Sequence, residues 1–252
     1  MPKVKKKRKV SKKILVVVVI SLVFVFLLPL GASAASVNVD VNGKGVDTLE
    51  IIEMLTVLAL APSILIMTTC FTRIIIVLSF LKNALGLQQT PPNQVLIGIA
   101  LFLSLFIMSP VITQVNTEAY QPYKEQKITQ EQFLKKAAVP MKKFMLKQTK
   151  KDDLNLFINL SKAKAVKSVD ELSITVVIPA FMTSELKRAF TIGFLIFIPF
   201  LIIDMVVAST LMSMGMIMLP PAMISLPFKL LLFILVDGWG LLFKTLAASF
   251  NM

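Results

Sequence analysis

The chain contains no histidine, and its single cysteine, Cys70, lies inside an apolar run. Without histidine, Ser-His-Asp triads and the usual zinc sites are unavailable. One cysteine excludes an intrachain disulfide framework and any multi-cysteine metal site. There is no glycine-rich phosphate loop, and no long Gly/Ser-rich tract that would divide the chain into a string of modules. Most common enzyme chemistries are closed on these grounds, so no enzyme activity, cofactor or metal is expected. Charged residues make up only 16% of the 252 positions, and no acid precedes Asp40. By contrast 56% of residues are hydrophobic and the mean hydropathy is +0.81, outside the soluble class, where apolar usage of about 45–50% is normal. The chain therefore reads as membrane-associated.

The net charge of +13 is unevenly spread, because eight of the 27 basic residues fall within the first thirteen positions. They precede the apolar run Ile14 to Leu28 and then Pro29, Gly31 and Ala32-Ser33-Ala34. A basic start, an apolar middle and a small-residue A-x-A site together predict a cleavable signal peptide over 1–34, with cleavage after Ala34. Pro2 to Val10 also reads as a nuclear-import signal, but such an address gains nothing from the apolar run and cleavage site that follow. The rest of the chain then carries 19 bases against 14 acids.

Residues 35–48 read as a polar, turn-prone and loosely ordered segment. From 49 to 115 the pattern predicts a first apolar helical hairpin. Its first run, Leu49 to Leu81, is longer than the about 20 residues a span needs and holds Pro62, so it either tilts or breaks. A polar turn, Lys82 to Gln94, leads into the second run, Val95 to Val115, with Pro110 near its end. Residues 116–180 form a lysine-rich helical domain. There Thr129 and Gln132 make a capping-box pattern, Pro140 is expected to interrupt the helix, and Asp152-Asp153 favour the start of a further one. Residues 181–252 predict a second apolar hairpin. The fold class is thus all-α and membrane-associated, two long helical hairpins with a small helical domain between them. Cleavage after Ala34 places that domain outside the cytoplasm. The positive-inside rule counts its lysines the other way, but longer loops translocate largely regardless of charge.

Two features of the second hairpin stand out chemically. Its turn, Leu211 to Pro221, carries methionine at Met212, Met214, Met216 and Met218 and ends in a double proline. Methionine is unbranched and polarisable and adopts many shapes at low cost, which suits a surface that must repack. The same residues would also serve to fill an irregular apolar hairpin. Charges inside the apolar runs are Arg73, Asp204, Lys229 and Asp237. A charge at the bilayer centre costs about 2.5–3.5 kcal/mol, so such groups find partners, protein or water. Asp204 and Lys229 lie equally far on either side of the loop Met212 to Pro221, centred between Met216 and Ile217, and would be level in an antiparallel hairpin. They are expected to form a buried ion pair, fixed or switching partners, with independent exposure to water or a neighbouring subunit as the alternative.

The motif running from Pro179 through Glu185, Lys187 and Arg188 to Phe190, with Gly193-Phe194, is joined by Ser79 to Gln94, Phe106 to Pro110, and Met212 through Lys229 to Asp237-Gly238-Trp239. In this order, over roughly Leu49 to Leu246, the chain resembles the FliP family of flagellar type III export-gate proteins, whose virulence-secretion relatives share the same core. The resemblance implies a subunit present in several copies and assembled with FliQ and FliR, near FlhA and FlhB, in the inner membrane at the flagellar basal body. It implies a conical assembly of apolar hairpins held largely above the membrane plane, and a pore for unfolded flagellar proteins. It also implies contact with membrane lipid and none with nucleic acid. The family's methionine-rich loop is a pore gasket, matching Met212, Met214, Met216 and Met218, with Ile217 replacing a common methionine. Glu185, Lys187, Arg188 and Arg73 are expected to make charge contacts between neighbouring subunits. A polytopic secondary transporter or ion channel is the competing expectation, raised by the paired hairpins and buried charges.

Overall fold

This computed structural model describes residues 39–41, 44–46, 48–161, 172–216 and 218–250. The expected signal peptide, 1–34, lies outside them, as do residues 162–171 of the lysine-rich region and Ile217. Two units divide between Ala59 and Leu60.

The first unit holds an antiparallel ribbon of β1 (Val39–Val41) and β2 (Lys44–Val46), with Val39 opposite Val46 and Val41 opposite Lys44. The ribbon falls within the stretch expected to be polar and turn-prone, most of whose other residues lie outside the described ones. Valine is branched at Cβ and favours extended backbone, and the valines flank Asn42-Gly43, a strong hairpin pairing in sequence. All other regular elements among the described residues are helical. The first unit also holds the opening of α1 (Thr48–Thr68).

The first apolar run does break, but not at its proline. Pro62 lies inside α1, while the end of α1 and the following α2 (Phe71–Ala84) meet at 70° around Thr69-Cys70. A helix end leaves its last carbonyls without backbone partners. Here threonine hydroxyls supply them: Thr68 donates to the Ile64 carbonyl at 2.8 Å, Thr69 to that of Leu65 at 2.8 Å, and Thr72 reaches across the break to that of Ile66 at 2.9 Å. The bend therefore leaves these three carbonyls bonded in an apolar setting.

In the second unit α2 is the central helix. Its Ile74, Val77, Leu78, Leu81 and Ala84 form a stripe at helical spacing, all buried, and pack on α6 (Ile174–Ser213) and α3 (Asn93–Val115). Gly193 lets α6 approach closely, since a Cβ there would lie 2.5 Å from Phe80, whose ring meets that of Phe190 edge to face at 5.5 Å. The helix α3 continues through a widened π turn, Asn116–Tyr120, to Gln121–Lys124. Likewise α6 is 40 residues long and begins at Ile174.

The inserted region contributes α4 (Gln130–Gln148) and α5 (Lys151–Leu160). Thr129 and Gln132 form a reciprocal capping box, with bonds of 3.3 and 3.2 Å. Pro140 does not interrupt α4; it sits inside the helix and is buried. Both helices dock on the 181–188 stretch of α6, where Phe144 meets Phe181 at 6.0 Å. The chain ends in α7 (Pro221–Leu235) and α8 (Gly238–Ala248), bent by 64° at Asp237, whose backbone is left-handed with φ 49°. By length and composition α3 with its extension and α6 can each cross a membrane, and each bent pair can make one more span.

Charge organises the α2–α6 contact. Arg73 and Glu185, both with fully buried side chains, form a two-pronged ion pair in which Arg73 Nε donates to Glu185 Oε2 at 2.8 Å. Arg73 Nη1 also donates to the Ser249 carbonyl and hydroxyl at 3.0 and 2.9 Å, and its guanidinium lies 3.7 Å from the Phe250 ring centre. Nearby, the buried Asp153 of α5 accepts from the Ser184 hydroxyl at 2.7 Å and from Lys187 Nζ, while the Lys150 N–H donates to Ser184 Oγ at 3.0 Å. Burial pushes the Asp153 carboxyl up, but the bonds from Lys187 and Ser184 outweigh it and hold the group below its ordinary value.

Two expectations follow. Removing one member of a buried pair leaves a charge without its counter-charge, at a cost of about 3–5 kcal/mol. Arg73→Met or Glu185→Leu alone should therefore abolish accumulation of folded chain, while the apolar double variant should recover most of it, measured by thermal unfolding of the purified protein. A depressed carboxyl stabilises the folded state fully above its unfolded value, about 3.9, and the gain is lost as pH falls through the lower folded value. Hydrogen exchange in α5 should thus accelerate below about pH 4, and Asp153→Asn should remove that acid-dependent step while raising exchange at neutral pH.

Candidate functional site

The turn of the second hairpin is built by an ordinary helix stop. Gly215, with φ 75°, ends α6: its N–H donates to the Met212 carbonyl at 3.1 Å, and the Met216 N–H returns to the Leu211 carbonyl at 3.0 Å. This double bond pattern with glycine in the left-handed region terminates a helix without loss of hydrogen bonds. Pro221 then opens α7 at its first position, where a missing N–H costs nothing. Between these two signals the chain has only methionine, isoleucine, leucine, glycine and proline to present.

It presents the methionines outward. Met212, Met214 and Met218 are exposed, Met218 almost completely at 98%, and Met216 is half-buried. Met223, one turn into α7, is exposed as well; its place two residues after the double proline marks it as a continuation of the same apolar tip. No ionisable residue occurs between Asp204 and Lys229. The tip is therefore an uncharged, thioether-rich surface on two helical arms, with Ser213 as an exposed hydroxyl between Met212 and Met214. The arms do not close against each other along their full length, because a cleft of about 500 Å³ lies between them, lined by Val206, Thr210, Ile224 and Phe228 among others.

Below the cleft the arms are joined by polar groups. Lys229 Nζ lies 2.6 Å from Asp204 Oδ2, and the Ser225 hydroxyl donates to Asp204 Oδ1 at 2.6 Å. Lys229 also donates to the carbonyl of Ala84, the last residue of α2, at 3.0 Å. Ser225 and Lys229 are buried, while the Asp204 side chain keeps 32% of its surface exposed. The equal spacing of Asp204 and Lys229 about the turn points to the first contact. Ser225 is four residues before Lys229, so one helix face carries both, and this spacing would have pointed to it. Nothing in the sequence pattern points to Ala84.

Each charge expected to meet a neighbouring subunit has a partner within this chain. Arg73 and Glu185 bind each other in the interior, Lys187 binds Asp153, and Arg188 Nη1 donates to Gln148 Oε1 at 3.2 Å. Glu185, Lys187 and Arg188 lie on the stretch of α6 against which α2, α4 and α5 pack, and Arg73 reaches it from α2, so partners within the chain are at hand. Asp153 was not visible as a partner, since it sits 34 residues before Lys187 in another helix. Asp237 stands exposed at the bend between α7 and α8. Gly193 stands at a close helix contact, whereas Gly98 faces open space. Among the described residues no group of three His, Cys, Asp or Glu side chains could hold a metal ion.

Comparison with known proteins covers nearly all of this architecture. The FliP family model matches residues 54–246. The flagellar biosynthetic protein FliP of Bacillus subtilis (strain 168) is 57% identical over 203 residues, which is 81% of this chain and 92% of that protein. Its counterpart in Pectobacterium carotovorum subsp. carotovorum is 54% identical over 203 residues, 81% of this chain and 79% of the other. That of Aquifex aeolicus (strain VF5) is 52% identical over 211 residues, 83% and 88% respectively. The span matched by the family takes in the buried Arg73–Glu185 pair, the Asp204–Ser225–Lys229 cluster and the whole methionine turn; the chain belongs to the FliP family of flagellar biosynthetic proteins.

Proposed function

We propose that this chain is a pore-forming core subunit of the flagellar type III protein export gate, passing unfolded flagellar proteins across the bacterial inner membrane, with the methionine turn sealing the closed pore. Several copies assemble with FliQ and FliR, and FlhA and FlhB lie close by at the base of the flagellum. The lysine-rich helices α4 and α5 lie on the side away from the cytoplasm.

The observation that carries this reading is the tip of the second hairpin, where Met212, Met214 and Met218 stand bare on a stretch without a single ionisable side chain. In a chain on its own such a surface has no purpose. Brought together with the same turn from neighbouring copies, it makes an apolar constriction. A constriction of this kind blocks ions by excluding water. Thioether side chains then conform to whatever polypeptide passes, because they change shape at low cost. The length of α6 supports the reading as well: 40 residues reach roughly 60 Å, about twice the hydrocarbon thickness of a bilayer. Half of the helix therefore extends beyond any single membrane crossing, as a stave in a tall assembly does. The bare apolar side chains along it, among them Phe190, Phe194, Ile202 and Val206, are surface for neighbouring subunits or lipid.

The test is ionic. Replacing Met212, Met214, Met216 and Met218 together by alanine should raise ion leakage through the closed assembly by roughly tenfold, the change produced by lowering a dewetting barrier by about 1.4 kcal/mol. Conductance measured on planar bilayers containing the purified complex checks it, and an unchanged closed-state conductance removes the sealing role.

A further inference from the structure

We propose that Lys229 is a positioning residue that registers the methionine turn against the first hairpin, acting through the Ala84 carbonyl as much as through Asp204. The proposal rests on the reading of that turn as the seal. An Asp204–Lys229 pair alone would join only α6 and α7, which are already joined by their own loop. The bond to Ala84 is different in kind, because it reaches 145 residues back along the chain to the end of α2. A lysine ammonium has three donors and no acceptor, so one head group can serve the carboxylate and the carbonyl together. The recipient is also well suited to a cation: the final carbonyls of a helix lack backbone partners and carry its negative dipole end.

The two ends of this link differ in rigidity. Ala84 is fully buried and belongs to the helix held in the core by the Arg73–Glu185 pair. The turn stands beyond the link on arms reaching from Asp204 to Ser213 and from Lys229 back to Pro221, roughly 13 and 12 Å of helix. The apolar cleft leaves part of the arms' facing surfaces unpacked, so packing between them constrains the tip only in part. What locates it is the last set of fixed bonds below the cleft, made by Ser225, Asp204, Lys229 and the Ala84 carbonyl. The height of the seal relative to the first hairpin is set there.

The arrangement distinguishes itself from a plain ion pair by its response to charge reversal. Exchanging the charges, Asp204→Lys with Lys229→Asp, preserves a pair but turns a carboxylate toward the Ala84 carbonyl, which can only repel it. A plain pair is restored by the exchange; a three-way link is not. Lys229→Arg keeps donors for both acceptors.

The experiment measures the tip directly. Spin labels are placed on Gln88→Cys in the α2–α3 turn and Ser213→Cys at the end of α6, both exposed positions, in a chain whose one native cysteine, Cys70, is buried. Assembled complexes, diluted with unlabelled chain and checked by intact mass, are examined by double electron–electron resonance. The double variant Asp204→Leu with Lys229→Met replaces the pair by apolar side chains, an exchange that buried pairs commonly tolerate. Expected is the loss of a single narrow distance in this variant and in the charge-reversed one, and its retention in Lys229→Arg. A narrow distance in the apolar variant, or its restoration by charge reversal, overturns the proposal; either variant alone decides. Closed-state ion leakage of the same assemblies reads the seal separately: a widened distance with unchanged leakage removes the sealing role of the turn and leaves the positioning role of Lys229 standing.

Discussion

The ion pair between Arg73 and Glu185 is the constraint around which the second unit is built. Both side chains are fully buried, and burial of charge is tolerable only when partners meet it on every side. That requirement brings α2 onto α6 at one register and draws the Ser249-Phe250 segment over the guanidinium. An apolar contact alone would be less particular, since apolar residues of α6 bury equally well against many faces. The pair thus selects among packings that hydrophobic burial leaves nearly equivalent. Next to it, Ser184 and Lys187 extend the same logic outward to Asp153, and so place α5.

Helix continuity in this chain follows hydrogen-bond supply rather than proline positions. Pro62, Pro110, Pro140, Pro179, Pro199 and Pro227 all lie within helices. The sharp bends fall instead at Thr69-Cys70 and at Asp237. At the first, hydroxyls of Thr69 and Thr72 satisfy the Leu65 and Ile66 carbonyls that the bend would leave bare. At the second, an aspartate adopts the left-handed conformation that its short polar side chain tolerates better than a branched one does. In an apolar environment an unsatisfied backbone group costs several kcal/mol, so bends occur where bonding partners are at hand.

The second hairpin joins two kinds of surface with opposite requirements. Its tip is apolar, bare and adaptable, while its stem carries directional bonds to a fixed part of the fold. A deformable surface has value in a barrier only if its location is not also deformable. One hairpin thus carries bare thioethers above and a lysine-centred cluster of directional bonds below.

Much of this was legible from residue order. Composition placed the chain among membrane-associated helical proteins, because uninterrupted apolar runs of these lengths leave few other options. The capping pattern at Thr129 and Gln132 located the start of α4, and the symmetric spacing of Asp204 and Lys229 about the loop Met212 to Pro221 pointed to their meeting, since local periodicity is itself the cause of these contacts. The interior partners were not legible: Arg73 with Glu185, Lys187 with Asp153 and Lys229 with the Ala84 carbonyl join positions with no periodic relation. Charges written in a sequence declare only that each needs a partner. Which partner, and whether it comes from the same chain or a neighbour, is decided when helices pack, because packing alone determines which groups lose their water together.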